Sequence, residues 1–286
     1  MRIGKIMIII DMNQITLASV MMNFHMTKSE ELEEDMIRHM ILNSIRMYRT
    51  MFKEEYGEVV LTYDSRHYWR REIFPQYKQN RKKGRENDTK DWDKIFGLLN
   101  AIKSEFREIL PYKYVEVYGA EADDVIGTLC KEYQDQKTMI VSGDKDFIQL
   151  QKYDNVKQYS PTQKKFINDI NPYTYIQEHV LRGDKGDGVP NVLSPDQTFV
   201  NEIRQKPLSK KKLESLLNLD VDSYPNEIKR NYQRNVMLIN LDNIPAELEE
   251  QILDEYTSAP CGDRSKLFNY FIENKLKTLT ESIGEF

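Results

Sequence analysis

Soft and nitrogen metal ligands are scarce in this sequence, which carries two cysteines and four histidines among 286 residues. Cys130 and Cys261 form no pair motif, and His25, His39, His67 and His179 show no ligand-like spacing. That excludes a zinc site and a disulfide framework, and the lack of cysteine pairs fits a reducing cytoplasm. Long apolar runs are also missing. The longest aliphatic stretch, Ile6 to Ile10, falls far short of the roughly 18 residues of a membrane span, so a soluble chain with no membrane contact is expected. Met1 to Lys5 imitates the start of a signal peptide, but Asp11, Asn13 and Gln14 cut the apolar stretch short, and the segment reads as a first strand. A basic excess is lacking too. The 41 Lys and Arg face 46 Asp and Glu, a net charge of −5, which argues against nucleic acid as a partner until the distribution is considered.

From Arg66 to Lys90 the chain holds nine basic residues and three acidic ones. Tyr68, Trp69, Phe74 and Tyr77 are interleaved with Arg66, Arg70, Arg71, Lys78, Arg81, Lys82, Lys83, Arg85 and Lys90. Cations supply phosphate contacts and flat rings stack on bases, so this segment can hold a nucleic-acid strand, Arg71, Lys82 and Lys83 included. A lone charge run is otherwise a solvated loop. The consecutive Lys210, Lys211 and Lys212 offer further phosphate contacts or a solvated helix face.

Four short runs rich in β-branched and aromatic residues read as strands: 5–10, 58–63, 113–118 and 138–141. Between them Leu32, Met36, Ile37, Met40, Ile41 and Ile45 repeat at helical spacing, as do Trp92, Ile95, Phe96, Leu99, Ile102 and Phe106, and then Val125, Ile126, Leu129 and Tyr133. Alternating strands and helices imply an α/β core around a mostly parallel sheet. Prolines punctuate the C-terminal third, where no convincing strand occurs. The expected division is therefore a core over 1–170 and a helical region over 171–286.

Three of the strand runs lead into an acid: Asp11, Asp64 and Asp144. In open α/β sheets sites form beyond the carboxyl ends of the strands, so these acids should converge there. Singly, each could equally cap a helix. More acids accompany them, in Glu121-Ala122-Asp123-Asp124, Asp144-Lys145-Asp146 and Gly183-Asp184-Lys185-Gly186-Asp187. Nine carboxylates in one cleft cannot all ionise without compensation. An all-oxygen set selects a hard cation, Mg²⁺ with Mn²⁺ as its substitute, and the surplus of ligands suggests two ions, the arrangement used in phosphodiester hydrolysis. The spacing of a calcium-binding EF-hand is absent. Setting the nine aside leaves 37 acids against 41 bases, so the remaining surface suits a polyanion. Neutralising Asp146 or Asp187 should relieve self-repulsion in the ion-free protein.

The sequence resembles the 5′-nuclease (flap endonuclease) superfamily, and within it the ribonuclease H group of T-even phages, over nearly the whole chain. The motifs that carry the likeness are, in chain order, Tyr77-Lys78-Gln79-Asn80-Arg81, Tyr118 to Asp124, Ser142 to Phe147 and Gly183 to Asp187. The resemblance implies a PIN-like core, a helical arch over about 66–95, a helix-three-turn-helix element that holds duplex DNA, and a helical C-terminal region. It places Asp11, Asp64, Glu121, Asp123, Asp124 and Asp144 around a first metal and Asp146, Asp184 and Asp187 around a second, with Asp144 serving both. By the same likeness Lys78 and Arg81 are catalytic arch cations at the scissile phosphate, Arg70 positions that phosphate, and Tyr77 stacks on the terminal base or packs on the arch.

The activity implied is Mg²⁺-dependent 5′→3′ cleavage that removes RNA primers from lagging-strand fragments and trims 5′ flaps. Its substrates would be DNA and RNA–DNA hybrid with a 5′ end or flap, in the host-cell cytoplasm if phage-encoded. Implied partners of the monomer are a single-strand-binding protein and a sliding clamp. One departure is local: where many relatives continue from the Gly-Asp-x-x-Asp motif into a glycine-rich hairpin, this chain has Asn191 to Gln197. Rival readings are a PIN-type single-strand ribonuclease, disfavoured by the Gly183–Asp187 turn, and a catalytically silent DNA-binding module, disfavoured by the full set of carboxylates.

Overall fold

The structure, a computed structural model, describes residues 7–169, 171–260 and 264–286. Lys5 and Ile6 of the expected first strand, and Cys261, lie outside them. Strands β1 (Met7–Asp11), β2 (Glu58–Thr62), β3 (Lys113–Val115), β4 (Thr138–Val141), β5 (Val156–Ser160) and β6 (Lys165–Ile167) form one sheet in the order β3-β2-β1-β4-β5-β6. The first five run parallel and β6 pairs antiparallel with β5. The expected α/β core with a mostly parallel sheet is thus present.

The central strand explains the layers. Every residue of β1 is buried, as the near-continuous apolar run of a doubly covered parallel strand requires. Ile8 and Ile10 face one apolar cluster, Met7 and Ile9 the other, in the two-residue period of the pleat. The Ile8 side is covered by α1 (Met12–Thr27), α2 (Glu34–Phe52) and α5 (Trp92–Ile109). The Met7 side is covered by α6 (Ala122–Glu132) and a 3₁₀ segment, Lys145–Lys152. Between β2 and α5 the short α3 (Arg70–Ile73) and α4 (Gln79–Glu86) make the arch segment.

Strands β5 and β6 were not expected from the sequence. Val156-Lys157-Gln158-Tyr159-Ser160 lacks an apolar run because Gln158 is fully buried and spends its amide on the carbonyls of Ser142 and Asp144, at 3.0 and 2.6 Å. Conversely, β3 ends at Val115, three residues before the expected limit.

Beyond β6 the elements are α7 (Pro172–Arg182), α8 (Lys210–Leu217), α9 (Asn226–Ile239), α10 (Ala246–Ser258), α11 (Ser265–Glu273) and α12 (Lys277–Glu281). This region packs on both faces of the core. Leu248 and Ile252 of α10 join the Met7 side, while Leu267, Phe271, Leu279 and Phe286 join the Ile8 side. Phe286 is fully buried beside Phe271, and Arg46 and Arg49 of α2 hold Glu285 at 2.5 and 2.6 Å. Phe286→Ala is expected to lower stability by about 3 kcal/mol, the usual cost of emptying a buried aromatic site. Urea unfolding followed by circular dichroism measures it, and a loss near zero would mean that the C-terminus is not part of the core.

Candidate active site

Because β1 pairs parallel with both β2 and β4, the chain leaves all three strands at one edge of the sheet. Asp11 ends β1 and caps α1, accepting from the Gln14 amide at 3.3 Å and from Ser142 Oγ at 2.9 Å. Burial and the nearby Asp64 push its carboxyl up to about 7, against the pull of those two hydrogen bonds. Asp64, two residues beyond β2, accepts the Ala122 amide at the start of α6 at 2.8 Å; burial raises its pKa, eased by Lys78. Asp123 is raised well above its usual range by burial and then by Asp144, and Asp146 by burial and then by Asp144, with Asp184 and Asp187 adding to it. Asp144 itself is exposed and caps the 3₁₀ segment through the Asp146 amide at 3.0 Å. The convergence of these carboxylates is therefore physical: Asp64 opposes the ionisation of Asp11, and Asp144 that of Asp123 and Asp146.

Cations from the arch enter this cleft. Glu121, almost fully buried at the N-terminus of α6, accepts from Arg70 at 2.9 Å, from Tyr77 Oη at 3.0 Å, and from Lys78 Nζ. Burial alone would push Lys78 down, but Glu121 and Asp187 hold it well above its usual range. The Lys78 amide donates to the Asp187 carbonyl at 2.8 Å from a left-handed backbone, φ 58°. Arg81, half-exposed, pairs with Asp187 and donates to the Gly186 carbonyl at 3.0 Å.

Three expectations change on this geometry. Arg70 is 2% exposed and all three of its guanidinium nitrogens are engaged: Nε on the Leu238 carbonyl at 2.8 Å, Nη1 on Glu121 and Asp124 at 2.9 Å each, and Nη2 in an ion pair with Asp124 at 2.7 Å. Such a guanidinium cannot position a phosphate; it joins the arch to α6. Asp124 is fully buried and also takes Trp69 Nε1 at 3.1 Å and the Glu121 amide at 2.9 Å, so it serves the Arg70 ion pair instead of a metal. Tyr77 is equally enclosed, its hydroxyl between Glu121 and Asp187 Oδ2 (2.7 Å) and its ring beside Phe74, Val180 and Val189. Burial followed by those carboxylates keeps the phenol protonated, and it packs on the arch rather than under a base.

The Gly183–Val189 turn brings the last acids. Gly183 has φ +68°, and a Cβ there would meet the Val189 and Pro190 backbone at 2.4–2.6 Å, so only glycine closes the turn. Asp184 accepts the Asp187 amide at 3.0 Å. Although burial opposes it, His179 and that amide hold the Asp184 carboxyl below its usual range. Asp123, Asp146, Asp184 and Asp187 line one small cavity.

His179, from the last turn of α7, stands between Asp146 (Nδ1 to Oδ1, 3.4 Å) and Asp184 (Nε2 to Oδ2, 3.4 Å). Sequence spacing gave it no role. The available signal was its place in the last helical turn before the Gly-Asp-x-x-Asp motif.

A groove of about 600 Å³ runs from Asp64, Lys78 and Arg81 past Tyr68, Arg71, Arg85, Trp92 and Phe96. Arg71 is exposed, with its guanidinium 4.9 Å from the Tyr68 ring centre. Lys82 faces solvent, 3.9 Å from Glu86, whereas Lys83 pairs with Glu202 at 2.7 Å. Lys210, Lys211 and Lys212 open α8 as an exposed face.

Two measurements test these assignments. Arg70→Ala leaves Glu121 and Asp124 without their buried partner and is expected to cost about 3–5 kcal/mol in urea unfolding; a phosphate-contacting arginine would cost almost nothing. In chelator, Asp11, Asp64, Asp123 and Asp146 bind protons in the folded state that they release when unfolded. The stabilisation is full below about pH 4 and is lost as pH rises through the folded-state values, about 7 for Asp11, at up to about 1.4 kcal/mol per pH unit per group. The melting midpoint should thus fall between pH 5 and 7.5, and Asp11→Asn should flatten the slope. At pH 7.5 Asp123→Asn should raise the midpoint. Asp187→Asn should lower it, reversing the sequence expectation, because Asp187 is paired with Arg81 and Lys78.

Residues 7–180 match the family described as 5′-3′ exonuclease, N-terminal resolvase-like domain, and residues 171–286 match T4 RNase H, C terminal. Ribonuclease H of Enterobacteria phage T4 is 35% identical over 292 residues, which cover 97% of this chain and 95% of that protein. A 5′-3′ exonuclease of Buchnera aphidicola is 25% identical, covering 80% and 83%. Among solved structures, the T5 5′-exonuclease superposes with a TM-score of 0.61 at 16% identity, covering 88% of this chain and 98% of that one, a likeness of fold. With an acidic cleft at the carboxyl edge of a resolvase-like sheet and a match to that domain over more than half its length, this chain belongs to the 5′-3′ exonuclease family.

Proposed function

We propose that this protein is a divalent-metal-dependent 5′→3′ nuclease that removes RNA primers from lagging-strand fragments and cleaves 5′ flaps during phage DNA replication. The observation that carries the reading is the convergence of Asp11, Asp64, Asp123, Asp144, Asp146, Asp184 and Asp187 at one sheet edge, with Lys78 and Arg81 set against them. The name of the T4 relative supports it, as do the phage T5 neighbours, solved with metal ions and in one case with DNA.

The donor set fits hard cations. Burial and neighbouring carboxylates raise Asp11, Asp123 and Asp146, and the acids of both sets offer oxygen donors, a charge excess that divalent ions relieve. Asp11, Asp64, Asp123 and Asp144 would hold one Mg²⁺ and Asp146, Asp184 and Asp187 a second, with Mn²⁺ as the substitute; Glu121, expected in the first set, has both oxygens engaged by Arg70, Tyr77 and Lys78 and leaves it with Asp124. When bound, such ions supply Lewis-acid stabilisation of phosphoryl oxygens and lower the pKa of a coordinated water.

The protein's own part is positioning and charge. Glu121 and Asp187 hold Lys78 and Arg81 at the mouth of the groove, where a substrate phosphate becomes an alternative anion for both. Arg71 and Arg85, beside Tyr68, Trp92 and Phe96, offer cations and ring faces along the groove, the combination that tracks a single strand. The substrate would be DNA or RNA–DNA hybrid with a 5′ end or flap. We place the enzyme as a monomer in the host cytoplasm, with a single-strand-binding protein and a sliding clamp as partners.

The deciding experiment is cleavage of a nicked duplex carrying a 5′-labelled RNA primer, with and without Mg²⁺. Short labelled 5′ products that require the ion are expected. Asp123→Asn and Asp146→Asn should abolish cleavage while still binding flap DNA. Lys78→Ala and Arg81→Ala should lower kcat by roughly 10²-fold or more, and Lys82→Ala only slightly. Full activity in chelator, or equal small effects at all three cations, would reject the mechanism.

A further inference from the structure

We infer that His179 is a ligand of the second ion and gives that site a preference for Mn²⁺ over Mg²⁺. The inference rests on the two-ion reading and assigns to one of its sites a nitrogen donor that the acidic motifs do not contain.

The fold carries the ring into the site. α7 packs along the 3₁₀ segment that bears Asp146 and ends at Gly183, directly before Asp184. A histidine in its last turn is therefore held between the two acids. The ring is only 14% exposed, and Tyr175, one helical turn earlier, stands edge-on to it with centroids 5.7 Å apart at 78°. Its rotamer is thereby confined.

The separations suit a shared cation better than a hydrogen-bonded triad. One ligand atom each from Asp146, His179 and Asp184 lie within 4.8 Å of one another. An octahedral ion with ligands at about 2.1 Å spaces neighbouring donors by about 3 Å and opposite ones by about 4.2 Å. The two nitrogen-to-oxygen distances, 3.4 Å each, exceed the usual 2.7–3.2 Å of an N–H···O bond. Nδ1 is buried with no hydrogen-bond partner, its nearest acid oxygen being Asp146 Oδ1 at 3.4 Å. Ligation through one nitrogen leaves the other free to donate to a carboxylate, the common support for a metal-bound imidazole.

Nitrogen in the set then decides between ions. Mg²⁺ favours oxygen and gives up water reluctantly, whereas first-row transition ions accept imidazole readily. The first site, formed by Asp11, Asp64, Asp123 and Asp144, has no nitrogen and gains no such preference.

The test uses the full chain, stripped by chelator and titrated with Mn²⁺ alone. Electron spin-echo modulation should show ¹⁴N coupling to Mn²⁺, converted to ¹⁵N coupling when only histidine is isotope-labelled, a readout that needs no mutation. His179→Gln should remove it and lower the Mn²⁺-over-Mg²⁺ selectivity of one site by about 10-fold or more. If wild type binds two Mn²⁺, Asp146→Asn binds one, and no histidine coupling is seen, His179 is not a ligand although the second site exists. If wild type binds a single Mn²⁺, or Asp146→Asn leaves the count unchanged, the two-ion reading falls and this inference falls with it.

Discussion

Mutual repulsion among buried carboxylates is the constraint from which the rest of this structure follows. The parallel sheet delivers Asp11, Asp64 and Asp144 to one edge, and the α6 start and the Gly183–Val189 turn add more. For Asp11, Asp123 and Asp146 ionisation is opposed by burial and by the neighbouring carboxylates. A fold that keeps such a group needs cations from outside the sheet, and the arch supplies them. Arg70, Lys78 and Arg81 are thus first of all counter-charges, already engaged with Glu121 and Asp187.

That constraint divides the basic segment into two parts. Its inner part, Trp69, Arg70, Phe74, Tyr77 and Lys78, is buried and fastens the arch to α6 and to the glycine turn. Its outer part, Arg71, Arg81, Lys82, Lys83 and Arg85, remains at the surface or along the groove. Inner contacts set where the outer cations stand, so loss of an inner residue would displace several outer ones together. Asn80, whose amide reaches the Lys185 carbonyl at 2.8 Å, ties the start of α4 to the same turn that carries Asp184 and Asp187.

The acidic cleft was legible because apolar strands ending in an acid imply a place as well as a chemistry: β1, β2 and β4 each lead to the sheet edge where theory puts a site. Partnership was not legible. Charge identifies Arg70 as a cation, but only the fold sets its donors on Leu238, Glu121 and Asp124 instead of on solvent. Tyr77 reads as a stacking ring until its hydroxyl is seen between two carboxylates. β5 was hidden because its buried Gln158 satisfies backbone carbonyls that an apolar residue would leave unpaired. His179 was missed because its neighbours in space, Asp146 and Asp184, come from separate segments.

The helical C-terminal region belongs to the same electrostatic design. A helix end leaves its last carbonyls without intrahelical partners and gathers negative partial charge. At the end of α9 the Leu238 carbonyl accepts Arg70 Nε and the Ile239 carbonyl accepts Gln149, whose own oxygen takes the Leu241 amide at 2.9 Å. The end of α9 is thereby satisfied by the guanidinium that neutralises Glu121 and Asp124, and by a glutamine from the 3₁₀ segment that presents Asp146. A shift of α9 would draw on Arg70 and through it on Glu121, the shared partner of Tyr77 and Lys78. Helices that appear in the sequence only as a proline-punctuated tail therefore help to fix the charge balance of a cleft formed mostly by the sheet.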